Sequence, residues 1–178
     1  MNILNSSYRD LKKPLVRVVR FSHGDHPFLP ALSVYFQGCD AYPKCFGCHN
    51  PETWDFDETF AVDYILLQTR VMEKLSLLLK VNEKVALVLL GGEPLSEHNR
   101  FWAISLAKDV KQTFGDAVTV LVYSWRSLDD LANEGIDISY FDEMVLGRYE
   151  KNLHTGGFPA SSNQVYLKTN ELSKTPTF

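Results

Sequence analysis

Three closely spaced cysteines constrain this chain more than any other feature. Cys39, Cys45 and Cys48 are the only cysteines among 178 residues, and they lie within a stretch of ten. Thiolates at this spacing are soft ligands that typically hold zinc or an iron–sulfur cluster. Three thiolates leave one iron of a [4Fe–4S] cluster without a protein ligand, so that iron is open to another molecule. We therefore predict a metal or cluster site that supports chemistry.

A structural zinc site is the main non-enzymatic alternative. His49 directly follows Cys48, so the segment offers a Cys3His ligand set. Adjacent residues seldom both reach one tetrahedral ion, because the usual ligand spacing is about two to four residues. The sequence favours the iron–sulfur interpretation, and a zinc module that scaffolds a partner stays open.

Charge and composition narrow the class of protein. The chain carries 18 basic and 22 acidic residues, mixed along its length, and a net charge of -4. It lacks the basic stretch that is typical of nucleic-acid or membrane-surface binding. Its apolar runs are far shorter than the roughly 20 residues of a membrane span, and its start does not resemble a signal peptide. We predict a cytoplasmic protein that binds neither nucleic acid nor membrane.

The pattern of apolar residues predicts an α/β fold. Runs rich in Val, Leu and aromatic residues predict strands, while apolar residues at helical spacing predict helices. The predicted strands are residues 15–21, 31–36, 84–90, 117–124, 143–146 and 164–168, and the predicted helices are residues 61–80, 97–114 and 128–134. Ser96 is the expected cap of the second helix, and Ser127 with Asp130 has the spacing of a capping box for the third.

The number of strand–helix units limits the architecture. Four or five units are too few to close an eight-unit barrel of about 250 residues, so we predict a partial (β/α) barrel that is open on one side. Residues 1–170 form one domain in this prediction, and residues 171–178 form a flexible tail. Ligands in such folds gather at the carboxyl ends of the strands. The cysteine loop, residues 91–95 and residues 124–126 are therefore expected to converge.

Two parts of the chain resemble the radical S-adenosylmethionine superfamily. The first comprises Phe-Gln-Gly-Cys at 36–39, Gly-Cys-His-Asn-Pro-Glu-Thr-Trp at 47–54 and Gly-Gly-Glu-Pro-Leu at 91–95. It is most similar to the activating enzymes of anaerobic (class III) ribonucleotide reductases. Gly-Arg-Tyr-Glu-Lys-Asn-Leu at 147–153 and Ser-Ser-Asn-Gln at 161–164 resemble the C-terminal signature of the same enzymes.

This resemblance implies a fold, cofactors and an activity. A [4Fe–4S] cluster on the three cysteines would bind S-adenosylmethionine at its fourth iron and cleave it reductively. The resulting 5′-deoxyadenosyl radical would take a hydrogen from a glycine of the reductase. The implied partners are that reductase and a flavodoxin-type or other one-electron donor, and the implied radical SAM fold is the partial barrel.

The resemblance also assigns roles to residues, with no catalytic side chain beyond the cluster and S-adenosylmethionine. The implied cluster ligands are Cys39, Cys45 and Cys48. The backbone near Gly92 would accept the methionine amino group, since glycine lets main-chain groups approach a ligand. The expected cofactor-binding residues are Gly91, Gly92, Glu93, Pro94, Ser124 and Asn50, and the expected partner-contact residues are Trp54, Arg148, Asn163 and Gln164.

The chain departs from the usual pattern at four places. Five residues separate Cys39 from Cys45 where three are usual, and residues 23–30 lack the common Gly-Pro-Gly turn. Leu146 stands where an Asp is common, and Pro-Ala stands at 159–160 in place of Arg-Gly. These differences concern the partner more than the radical chemistry. A small radical enzyme that acts on a small molecule, similar to a deazaguanine synthase, is therefore the alternative enzyme.

Overall fold

The computed structural model describes residues 12–172, which form one six-stranded sheet. The strands lie side by side in chain order. They are β1 (Val16–Ser22), β2 (Ala31–Phe36), β3 (Val85–Gly91), β4 (Val118–Ser124), β5 (Glu143–Leu146) and β6 (Val165–Lys168). Strands β2 to β5 run parallel, while β1 and β6 pair antiparallel at the two edges. All six predicted strands are confirmed to within one or two residues.

Helices connect the four parallel strands. They are α1 (Tyr64–Leu79), α2 (Arg100–Phe114) and α3 (Leu128–Asn133), and a last short helix, α4 (Thr169–Leu172), follows β6. The capping box of α3 is confirmed, because the Ser127 side chain accepts from the Asp130 backbone and the Asp130 side chain accepts from the Ser127 backbone. Two satisfied backbone donors explain why so short a segment is helical.

The predicted start of α2 is wrong by three residues. Ser96 lies in the preceding turn, where its hydroxyl accepts from the Asn99 backbone N–H at 3.2 Å, and the helix begins at Arg100. The Asn99 side chain accepts from the Leu15 N–H and donates to the Gln37 carbonyl. These contacts with distant residues fix the turn that precedes α2, and no local sequence pattern predicts them.

The two faces of the sheet are covered differently. Leu87 and Leu89 of β3 pack into the large core beneath α1, α2 and α3, whereas Ala86 and Val88 face the opposite side. On that opposite side the Tyr123 hydroxyl donates to the Asp25 carbonyl at 2.8 Å, so the loop between β1 and β2 lies across the sheet. Loops therefore cover this face of the sheet, which leaves space for a cavity.

The structure leaves the predicted architecture and the predicted domain untested, and it describes only part of the predicted tail. The strand and helix positions agree with the partial barrel without testing it, and the single domain is likewise untested. The flexible tail was expected from residue 171, but residues 171–172 belong to α4 and the rest lies outside the described residues. Among residues 12–172, no helix is long and apolar enough to cross a membrane.

Candidate cluster and cofactor site

A cavity of about 590 Å³ lies where the parallel strands end. Its volume falls within the roughly 300–1,000 Å³ of small-molecule sites. The loops after β2, β3 and β4 all reach it, so their predicted convergence is confirmed. Its wall combines thiols, glycines, aromatic rings and polar groups, among them Cys39, Cys45, Cys48, His49, Asn50, Trp54, Gly91, Gly92, Glu93, Ser124, Trp125, Tyr149 and Gln164.

Backbone hydrogen bonds hold the cysteine loop against the segment that follows it. The N–H groups of Gly38 and Cys39 donate to the carbonyls of Thr53 and Trp54 at 2.8 and 3.0 Å. The Asn50 N–H donates to the Cys48 sulfur at 3.4 Å. A hydrogen bond to a ligand sulfur is one way in which a protein tunes a cluster. The loop is therefore positioned by its own backbone, with all three thiols on one cavity wall.

The thiols fit a cluster by their chemistry. Burial raises the pKa of Cys39 to about 11 and also raises the pKa of Cys45. A metal stabilises the deprotonated thiolate, so cluster binding would displace these protons. Within residues 12–172, no three His, Cys, Asp or Glu side chains are grouped to hold a single metal ion. The His49 ring contacts Tyr149, with centroids 4.2 Å apart and the ring planes tilted by 45°.

Gly92 has a structural role that sequence reasoning missed. A Cβ at this position would collide with the backbone carbonyl of Gly38 and lie 2.8 Å from the Thr53 carbonyl oxygen. The Glu93 N–H also donates to the Gly38 carbonyl at 2.8 Å. The glycine thus lets the loop after β3 pack directly on the cysteine loop. Main-chain approach to a cofactor stays a prediction, and approach to the cysteine loop is a second reason for a glycine here.

Glu93 connects the loops after β3 and β4. Its side chain is 1% exposed and accepts from the Ser124 hydroxyl at 2.8 Å and the Trp125 N–H at 3.0 Å. Arg126 lies 3.6 Å away. Burial raises the pKa of Glu93 to about 7 against the opposing effects of the Trp125 N–H and Arg126. The carboxyl group therefore changes charge near neutral pH at the cavity wall.

Arg126 and Asp40 form a second connection that the sequence did not reveal. Two nitrogens of the Arg126 guanidinium donate to the two Asp40 oxygens at 2.7 and 3.2 Å, and Trp125 Nε1 donates to Asp40 at 2.9 Å. Burial opposes it, but these hydrogen bonds hold the pKa of Asp40 below its usual value. Asp40 lies in the long spacer after Cys39. The spacer is thus anchored to the loop after β4, across 86 residues of sequence.

The remaining predicted contact residues divide into two groups. Asn50, Trp54 and Gln164 lie on the cavity wall, whereas Pro94, Arg148 and Asn163 do not. Arg148 donates to the carbonyls of Tyr42 and Pro43, and the Asn163 amide donates to the Arg148 carbonyl. These two residues brace the cysteine loop from outside. Their spacing alone contains no signal for that role.

Comparison with known proteins agrees with this geometry. The family model described as "4Fe-4S single cluster domain" matches residues 30–167. The chain is similar to the anaerobic ribonucleoside-triphosphate reductase-activating protein of Enterobacteria phage T4, with 29% identity over 137 residues. That alignment covers 77% of this chain and 82% of the phage protein. Both findings confirm the resemblance that the sequence motifs carry.

Proposed function

Since this chain belongs to the 4Fe-4S single cluster domain family, we propose that it is a radical S-adenosylmethionine activase. Its proposed substrate is a glycine residue of an anaerobic ribonucleoside-triphosphate reductase, the enzyme for whose activation the phage relative is named. A flavodoxin-type or other one-electron donor would supply the electron. The family match supports an iron–sulfur enzyme, and the relative supports an activase.

One observation carries the proposal: the three thiols share a cavity wall with the loops after β3 and β4. Cys39, Cys45 and Cys48 would hold the cluster, leaving one iron for the cofactor. The backbone at 91–93 and the Ser124 hydroxyl lie on the same wall, where they suit the polar end of an amino acid. This arrangement supports a cluster and a second ligand bound side by side in the cavity.

The chain's own residues have to position these groups and exclude water. A bound cluster, when reduced, would supply the electron that cleaves S-adenosylmethionine to methionine and a 5′-deoxyadenosyl radical. Glu93 and Arg126 hold the loops around that position, and Trp54, Trp125 and Tyr149 provide aromatic walls. Apolar walls of this kind limit the access of water to a reactive species.

The charge of the wall favours a protein target over a phosphorylated small molecule. Among the described residues on the wall, the acidic side chains are those of Asp25 and Glu93, and the wall contains no lysine or arginine. Carboxylates repel phosphate groups, whereas they accept hydrogen bonds from peptide N–H groups. A neutral glycine-bearing segment therefore suits this cavity better than a nucleotide does.

The test is a sequence of three anaerobic measurements. Reconstituted protein should contain about four irons and four sulfides. After reduction it should cleave S-adenosylmethionine to 5′-deoxyadenosine and methionine. With the reductase added, electron paramagnetic resonance should detect a glycyl radical. Cys48→Ala should abolish all three results, while Ser76→Ala, on the exposed side of α1, should change none of them.

Two outcomes would redirect the assignment. Stoichiometric zinc without sulfide after anaerobic purification would favour the zinc module. Cofactor cleavage without a radical on the reductase would favour the small-molecule enzyme.

A further inference from the structure

The cysteine loop has an outer face as well as a cavity face. Tyr42 and Phe46 do not lie on the cavity wall, and their side chains are 92% and 65% exposed. Phe46 stands between Cys45 and Cys48, which are half-buried. The exposed Phe46 ring is thus next in sequence to one proposed cluster ligand and two residues from another. A protein that touches this face therefore comes close to a cluster on these thiols.

Three basic side chains contact the loop that carries this outer face. Lys44 donates to the Cys39 carbonyl, and Arg148 donates to the Tyr42 carbonyl at 2.8 Å. Lys151 lies against Gly47, since a Cβ on that glycine would be 2.8 Å from the lysine Cβ. All three cations thus contact the loop that carries the proposed cluster ligands.

Acidic residues offset this charge only in part. Asp40, the acidic residue within the loop, is paired with the Arg126 guanidinium at 2.7 Å. Glu150 is the exposed carboxylate next to Lys151. Because the whole chain carries a net charge of -4, a basic face at this position is a local reversal of the overall charge. Such a reversal steers an oppositely charged partner toward one surface.

We propose that this outer face is the docking site for an acidic one-electron carrier protein. The face consists of Tyr42, Lys44, Phe46, Arg148 and Lys151, and the proposal rests on the activase function above. In the step it serves, the reduced carrier loses one electron and the oxidised cluster gains it, with no bond made or broken in this chain. Redox encounters bury little area, so a few cations and two exposed aromatic rings suffice.

The position of the face separates the carrier from the proposed target protein. A hydrogen donor has to reach the cavity, which the cysteine side chains border from within. None of the five residues of the outer face lines that cavity. We therefore expect a carrier at that face to leave the cavity free, so that an electron can be delivered while the target is bound.

Charge reversal tests the proposal. Lys151→Glu should reduce the second-order rate constant for cluster reduction by reduced flavodoxin about tenfold at low ionic strength, and it should weaken the salt dependence. The matched control is Lys80→Glu, which makes the same charge change at an exposed site after α1 and should change the rate less than twofold. Stopped-flow absorbance at the cluster band reports the rate.

A binding measurement makes the test independent of turnover. Oxidised flavodoxin should bind the cluster-free protein about tenfold more weakly when Lys151 is replaced by Glu, as measured by fluorescence anisotropy at low salt. Reduction by dithionite should be equal in all variants, and a saturating amount of reductase should not displace flavodoxin.

Equal flavodoxin rates and affinities for Lys151→Glu and Lys80→Glu would refute the docking site. Displacement of flavodoxin by the reductase would also refute it and would assign the face to the target protein. Absence of a cluster or of cofactor cleavage in the unaltered protein would instead overturn the proposed function.

Discussion

Replacing Arg126 with Met should destabilise the cluster-free protein in a pH-dependent way. The Arg126 side chain is 4% exposed, and it pairs with Asp40, Glu134 and Glu93. Asp40 and Glu134 are 28% and 32% exposed, so water already screens those two pairs. Each of them should contribute up to about 1 kcal/mol. Loss of both gives a baseline of up to about 2 kcal/mol.

The ionisation of Glu93 makes the free energy of unfolding depend on pH. Burial raises its pKa in the folded protein from 4.5 to about 7. The folded state therefore binds this proton more tightly than the unfolded chain, and the free energy of unfolding falls as pH rises from 4.5 to 7. The fall is about 1.4 kcal/mol per pH unit, or about 3 kcal/mol in total. Above pH 7 the native carboxylate ionises beside Arg126, and the fall stops.

In Arg126→Met the free energy of unfolding should continue to fall above pH 7, because the pKa of Glu93 rises further when the cation is removed. The difference in free energy of unfolding between the unaltered protein and the variant should therefore stay at its baseline near pH 6. It should then grow by about 1.4 kcal/mol per unit above pH 7, adding about 2 kcal/mol by pH 8.5. Trp125 Nε1 still donates to Asp40 in the variant and favours its charged form, so Asp40 should contribute a constant amount between pH 6 and 8.5.

Urea denaturation of both proteins at pH 6.0 and 8.5, followed by circular dichroism, measures the effect. The same substitution in a Glu93→Gln background should show the baseline loss at both pH values, since no carboxylate remains to ionise. A pH-independent loss, or an unchanged pH dependence in the Gln background, would refute the assigned role of Glu93.

The other predictions concern single substitutions. Gly92→Ala should lower the melting temperature of the cluster-free protein and reduce iron incorporation together, because its Cβ meets the cysteine-loop backbone. Gly157 lies on the same cavity wall but has space for a Cβ, so Gly157→Ala should change neither the melting temperature nor the iron content. If Gly92→Ala lost only its affinity for S-adenosylmethionine, the packing role of Gly92 would be wrong. Ser127→Ala should reduce the free energy of unfolding by about 1 kcal/mol through loss of the capping box, as measured by urea denaturation, whereas an unchanged midpoint would show that α3 is held by packing alone.

Local patterns were enough to predict most of the fold and the ligand-bearing loop. The apolar run at 84–90 became the buried strand β3, and Ser127 with Asp130 marked the start of α3. Parallel strands end at one edge of a sheet, so their order also predicted that the loops carrying Cys39 and Gly92 would meet. These features depend on periodicity, capping and chain order, which short stretches of sequence contain.

The contacts that shape the cavity depend on residues far apart in the chain. Asp40 meets Arg126 across 86 residues, and Asn99 holds the start of α2 through its contact with Leu15, 84 residues away. Arg148, which the sequence predicted to contact a partner, also braces the cysteine loop, and its spacing does not predict that contact. The charge state of Glu93 likewise follows from its burial. Only the packed structure decides such pairings, because a residue type and its spacing do not specify which distant group will share its low-dielectric surroundings.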